Sequence, residues 1–325
     1  MIVDAHAHFV PEALLDELRD RRGEFPSVEM AEEKGSLAFS FAGGKRTRPV
    51  AGFLRDLGKR TAWMDAQGID LQVIAGWLDM FGNQLPAEEG AAWAATINRH
   101  LAAHVAATGD RFRALATLPT QDGARAAEML REARAAGFAG AMIGTQPRGR
   151  GGVLDDPGLD PFWQAAHETR AIVSIHPVFD AGDDRVHDYG MANAVGRVTD
   201  TAIALSRLIY AGHVARYPEA RILVGIGGAA LPWILGRLRR NAALDDGLGD
   251  PDAAIRGLWY DTLLHDPAPL RLLVDLVGPE RIMLGSDMPF PIGDPEPRAI
   301  LAAAGIEGEA RRAIESGTAR RLLDL

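Results

Sequence analysis

Short, almost unbroken apolar runs alternate with longer amphipathic stretches along most of this chain. The apolar runs fall at 1–6, 71–76, 112–119, 140–145, 171–177, 221–227, 258–264 and 281–287. So few residues, so continuously apolar, read as strands of a parallel sheet that is covered on both faces. Between them, stretches rich in Ala, Leu, Arg and Glu predict helices at roughly 89–107, 122–136, 195–216, 230–243 and 268–277. The second of these starts at Asp122, a good N-cap, and stops at Gly137. Eight strand–helix units predict a distorted (β/α)8 (TIM) barrel, an α/β fold, as a single domain over residues 1–325. The competing arrangement is an open, doubly wound sheet. It would not gather the ends of the first, fifth and eighth strands, and all three of those strands end in candidate ligands.

Residues 10–60 break the alternation. Val28-Glu29-Met30 and Leu37-Ala38-Phe39-Ser40-Phe41 look like short strands joined by polar turns. The segment reads as a small insertion after strand 1, placed over the barrel mouth. Residues 244–257 and 291–297 read as loops.

Composition narrows the class. A chain of 325 residues with 47% hydrophobic content can bury a large core. Net charge is −9 and no basic cluster is present, which argues against nucleic-acid binding. There is no cysteine, so disulfides and a thiolate nucleophile are excluded. No apolar run approaches the ~18–20 residues of a membrane helix, and the N-terminus does not resemble a signal peptide. A cytoplasmic protein acting on a small molecule is the expectation.

The chemistry begins at Asp4-Ala5-His6-Ala7-His8. Residues i and i+2 of a strand share a face, so both imidazoles can converge on one metal ion at the strand's C-terminal end. His176 closes the fifth apolar run and Asp287 the eighth. Taken singly, each has an ordinary alternative: a solvent-facing histidine pair, a packed core histidine, a turn aspartate. Taken together they sit where barrel enzymes place their active sites.

These residues, with Ile143-Gly144-Thr145, Ile175-His176-Pro177, Gly227-Gly228-Ala229-Ala230-Leu231-Pro232, Tyr260-Asp261-Thr262-Leu263-Leu264-His265-Asp266-Pro267 and Leu284-Gly285-Ser286-Asp287-Met288-Pro289-Phe290-Pro291, resemble one group. It is the amidohydrolase superfamily, in the branch of aminocarboxymuconate semialdehyde decarboxylase and related aromatic acid decarboxylases. The resemblance runs from residue 1 to about residue 325. It implies a metal, Zn2+ or Mn2+, held by His6, His8, His176 and Asp287, with water or substrate in the remaining position. It also implies a homodimer in which Arg237 is contributed across the interface.

One position departs from the pattern. The branch carries a histidine beside the metal-bound water, before a Gly-Gly pair, and this chain has Ile226 there. Isoleucine can neither accept a proton nor bind metal. His213 lies earlier, on an apparently helical segment, and reads as a packing or surface residue. Asp287 then remains as the catalytic proton carrier.

Arg237 and, less directly, Arg48 are candidates for gripping a substrate carboxylate. Arg237 reads equally well as a surface residue of Arg237-Leu238-Arg239-Arg240. Phe290 and Trp77 could line an aromatic pocket or belong to the core. Asp4 could orient a ligand histidine. His265 and Asp266 read as a loop anchor. Three functions stay open: non-oxidative decarboxylation of a small unsaturated or aromatic acid, hydrolysis of a small cyclic amide, lactone or C–C bond, and a descendant that binds or rearranges a small molecule without activated water.

Overall fold

The structure is a computed structural model that describes residues 1–179 and 181–325. Among the described residues ten strands form, in chain order: β1 (Val3–His8), β2 (Val28–Glu33), β3 (Ser36–Phe41), β4 (Leu71–Ala75), β5 (Phe112–Ala116), β6 (Gly140–Gly144), β7 (Ile172–His176), β8 (Arg221–Val224), β9 (Trp259–Asp261) and β10 (Ile282–Met283). Eight of them pair in parallel in the order β1-β4-β5-β6-β7-β8-β9-β10. The sheet closes because β1 also bonds the segment after β10. Ala5 N donates to Leu284 O, Asp287 N to His6 O and His8 N to Met288 O, each at 2.8 Å. This is the (β/α)8 barrel that the apolar periodicity predicts.

The helices between the strands are α1 (Glu12–Asp20), α2 (Leu57–Gln67), α3 (Ala87–Ala107), α4 (Gly123–Ala135), α5 (Asp160–Glu168), α6 (Arg197–Tyr210), α7 (His213–Arg216), α8 (Leu231–Ala242), α9 (Pro251–Gly257) and α10 (Pro267–Val277). Short helices over 299–322 follow. Asp122 caps α4 by accepting from Ala124 N and Arg125 N, as its sequence position suggests. The expected long helix 195–216 is instead interrupted. A π-helical turn spans Ala192–Gly196, and Gly212 adopts φ +71° between α6 and α7. Residues 244–257 are not all loop, since Asp250 caps α9 with Pro251 in its first turn. The eighth apolar run contributes only two ladder residues; its remainder is the closing segment against β1.

Within β1 the register slips by one residue between Asp4 and Ala7 relative to β4. Such a bulge re-aims the side chains beyond it. Val3 and Ala5 pack with Leu71, Val73, Leu115, Met142, Leu223 and Met283 inside the barrel. Ala7 and Phe9 pack outward against the helices. The bulge therefore turns His6 and His8 toward the barrel interior, while Asp4 faces the layer between sheet and helix.

That layer holds a fully buried polar group. Asp4 accepts from Ser286 Oγ at 2.6 Å, Ser286 N at 3.0 Å, Gln72 Nε2 at 2.8 Å and His6 N at 3.2 Å. Arg60 of α2, wholly buried, donates to Gln72 and to the His8 carbonyl. The β2–β3 hairpin lies against α3 through Phe39 and Phe41, each 5.5 Å from the Trp93 ring.

His104 of α3 packs its ring 4.2 Å from Phe9 and 5.2 Å from Phe112, and its buried Nε2 has no partner. Burial, with the nearby Arg60 charge, pushes its pKa down to about 4. The unfolded chain would take up a proton near pH 6.5, before the folded one does. This stabilising contribution is present above pH 6.5 and is lost as pH falls toward 4. His104→Leu should therefore flatten the acid-side decline of Tm by a few degrees, roughly, between those values. Parallel melting-temperature profiles for the two proteins would contradict this.

Candidate metal centre

His6 and His8 leave β1 on the barrel's inner side, His176 ends β7, and Asp287 follows β10 in the closing segment. All four are buried, and one potential ligand atom from each lies within 4.8 Å of the others. The three imidazole centroids are 4.9–5.4 Å apart. Asp287 Oδ1 lies 3.1 Å from His8 Nε2 and 3.5 Å from His6 Nε2.

The far side of each ring is already engaged. His8 Nδ1 lies 3.1 Å from Gly76 O and His176 Nδ1 lies 2.9 Å from Pro177 O. A carbonyl can only accept, so both Nδ1 atoms carry the hydrogen and both Nε2 atoms turn inward as acceptors. His6 Nδ1 is 2.7 Å from Asp261 Oδ2. His6 Nε2, His8 Nε2 and Asp287 Oδ1 are buried without hydrogen-bond partners. Acceptors turned on one another need positive charge between them. Three imidazole nitrogens and one carboxylate oxygen fit a divalent first-row ion.

Titration reflects the same deficit. Burial opposes a charged His6, yet Asp261 and then Asp287 outweigh it and hold its pKa at about 9. Burial, then the other two histidines, drives His176 well below its usual range. Burial alone would raise the Asp287 carboxyl, but the His8, His6 and His176 imidazoles hold it well below the usual carboxylate range. Protons supply part of the missing charge, and an entering metal ion would displace them.

Asp261, rather than Asp4, orients a ligand ring. The β1 bulge turns Asp4 away, and its contact with His6 is to the backbone N–H. Asp261 also accepts from Gly227 N at 2.7 Å, Leu263 N at 3.1 Å and Ile226 N at 3.2 Å. A side chain at Gly285 would meet Asp261 Cβ at 2.7 Å, and one at Gly225 would meet His6 Cε1 at 3.2 Å. The two glycines allow the His6–Asp261 pair its close fit.

Above the ligands is a cavity of about 120 Å³ lined by His176, Asn193, Arg197, Ile226, Leu263 and Asp287, among others. Ile226 thus forms an apolar part of the wall. Its φ is +55°, a conformation that costs a β-branched residue roughly 1–3 kcal/mol. Phe290 tilts over His8 with ring centroids 5.2 Å apart. Trp77 is buried, and the Arg48 guanidinium lies 6.0 Å from its ring. Arg48 also contacts the buried Asp79 at 3.4 Å. Arg237 is exposed on α8 and does not line the cavity. His265, also exposed, stands at the cavity's edge, and Asp266 caps α10. His213 packs between Trp163 and Tyr217.

Arg197 went unrecognised in the sequence. It is the first residue of α6, directly after the π-helical turn Ala192–Gly196, and no motif or spacing in the sequence marks it.

A family model described as amidohydrolase matches residues 3–325, and the chain belongs to that family. The sequence is 28% identical over 306 residues to 2-amino-3-carboxymuconate-6-semialdehyde decarboxylase of Dictyostelium discoideum, covering 92% of this chain and 84% of that protein. It is 25% identical over 252 residues to 2-keto-4-carboxy-3-hexenedioate hydratase of a Sphingobium species, covering 71% of each. Among solved structures, 5-carboxyvanillate decarboxylase of Novosphingobium aromaticivorans, complexed with manganese and 4-hydroxy-3-methoxy-5-nitrobenzoic acid, superimposes with a TM-score of 0.78 at 23% identity. That match covers 100% of this chain and 96% of the other.

Replacing Asp261 by Ala should weaken divalent-metal binding about 10–100-fold in calorimetric titration, because it frees the His6 ring while leaving all four ligands in place. Unchanged metal affinity would remove Asp261 from the site's design.

Proposed function

We propose that this member of the amidohydrolase family is a metal-dependent decarboxylase of a small unsaturated or aromatic carboxylic acid. The observation that carries the reading is the set of four inward-turned ligands, His6, His8, His176 and Asp287, beneath a small cavity. The relatives support it: one is a decarboxylase of an unsaturated acid by name, another of a hydroxylated aromatic acid. The cavity, about 120 Å³, is smaller than the ~150 Å³ that accommodates benzene, which restricts what it can enclose to a small substrate or part of one.

A divalent ion held by the four residues would supply a Lewis acid that polarises substrate oxygens. Asp287 is ionised at rest, so it cannot begin as the proton donor. It takes a proton from an acidic hydroxyl or enol of the substrate and passes it to the carbon that bears the carboxylate. The C–C bond to that carboxylate breaks, its electron pair forms the new C–H bond, and CO2 leaves. Solvent returns the proton to the substrate oxygen. Ile226, Leu263, Val198 and Ile292 keep the wall around this exchange apolar.

The hydratase relative makes water addition the competing reaction. Ile226 argues against it, because water at the site has no histidine there to accept its proton. We also read the chain as a homodimer. Trp233 on α8 is 84% exposed, and Arg237 lies one turn further along the same helix. A monomer by light scattering at micromolar concentration would overturn that assignment.

The reaction is tested by incubating metal-replete protein with hydroxybenzoates, unsaturated diacids and lactones, following released CO2 and product mass. Loss of CO2 from at least one acid is expected. Gain of water, or lactone opening alone, would overturn the decarboxylase assignment. With the substrate in hand, Asp287→Asn should keep most of its metal, since three histidines remain, and should lose about 10²–10⁴-fold in turnover. Near-normal turnover in a metal-loaded variant would mean that the proton travels by another route.

A further inference from the structure

Arg197 is a half-buried cation without a bonded partner among the described residues. It lines the cavity with His176 and Asp287. Burial weakens its hold on its proton, while the charges of Asp79 and Asp287 work the other way. Neither carboxylate reaches it as an ion pair. Asp79 contacts Arg48 instead, and the inward oxygen of Asp287 faces the histidines. Withdrawing a guanidinium from water without pairing it is costly, and folded proteins rarely tolerate it without a use. One further feature favours a ligand role. Arg197 follows directly on the π-helical turn Ala192–Gly196, an irregularity common beside functional sites.

We propose that Arg197 binds a second, non-reacting carboxylate of the substrate, and so selects diacids over monoacids. This rests on the decarboxylase reading above. Gripping the reacting carboxylate instead would be energetically unproductive. That group leaves as neutral CO2, so a cation bound to it would stabilise the ground state more than the transition state. A cation on a spectator carboxylate holds its partner equally in both and contributes orientation. The cavity is then a two-pole receptor. The ligand cluster takes one end of the substrate and Arg197 the other, with Ile226 and Leu263 against the carbon frame between them.

Calorimetric titration of manganese-loaded protein with benzoate and with benzene-1,2-, 1,3- and 1,4-dicarboxylate tests this without requiring turnover. At least one diacid should bind roughly 10–100-fold more tightly than benzoate, the usual scale for a charge-assisted pair. Arg197→Gln should abolish that preference while leaving benzoate affinity unchanged, and Arg197→Lys should restore part of it. Because the cation has no bonded partner among the described residues, Arg197→Gln should also melt no lower than the parent protein. No diacid preference, a preference that survives Arg197→Gln, or a fall in Tm with equal loss for benzoate and diacids would each overturn the proposal. If the preference appears and vanishes as expected but no acid releases CO2, the subsite stands and the reaction assignment falls. If CO2 is released without any dependence on Arg197, the reverse holds.

Discussion

The barrel is closed at one seam, and the candidate site depends on it. β10 contributes only two residues to the ladder, so the chain after it must be held to β1 by other means. Backbone hydrogen bonds from Ala5, Asp287 and His8 do part of this. The Asp4 carboxylate does the rest, since it takes both donors of Ser286 while also bonding Gln72 and the His6 N–H. Burying a carboxylate is costly, and four donors offset the cost only when the seam is shut. The same closure sets Asp287 within reach of His6 and His8. Folding and ligand assembly are therefore one event, and neither histidine of β1 would find its carboxylate in an open sheet.

Charge is layered outward from this seam. Beneath the site, Asp4 is balanced by Gln72 and by the nearby Arg60 guanidinium. At the site, Asp261 fixes His6 and ties the Ile226–Gly227 turn to β9 through backbone donors. Above it, Asp79 lies under Arg48 and in the field of Arg197. In the lowest layer the Asp4 carboxylate has four protein donors. In the upper two, acceptors in the ligand cluster and the cation at Arg197 lack bonded partners among the described residues. Such groups gathered around one cavity mark a receptor rather than a stabilising core.

Much of this was legible in the chain. Continuous apolar runs gave the barrel, and the HxH pair with His176 and Asp287 gave the cluster, because each ends a strand and a strand end has a fixed place in this fold. The losses have physical causes. Parity assigned Asp4 to the face of His6, but a one-residue bulge inside a uniformly buried strand leaves no mark on hydrophobicity. Asp261 sat in view within Tyr260-Asp261-Thr262, yet a residue that acts through a neighbour's ring has no spacing rule to betray it. Only Ala211 and Gly212 separate α6 from α7, and one glycine in a helical composition does not force a break, so the two read as one helix; the π-helical turn before Arg197 is likewise invisible to a 3.6-residue period. Short helices such as α9 depend on a single cap and proline, which a loop-like composition hides.

Ile226 links the ligand cluster to the cavity wall. Its turn is held at positive φ by Asp261, the same carboxylate that orients His6, so the substituted position cannot drift from the cavity without disturbing a ligand. An apolar group fixed there denies any water at the site a histidine base on that wall, and in our proposal Asp287 carries the proton instead. A reaction in which the substrate brings its own acidic hydrogen tolerates that loss, whereas one that must first ionise water does not. The isoleucine in place of a histidine and an arginine without a bonded partner among the described residues point the same way. This cavity is poorly equipped to activate solvent and well equipped to hold an anion while one of its bonds breaks.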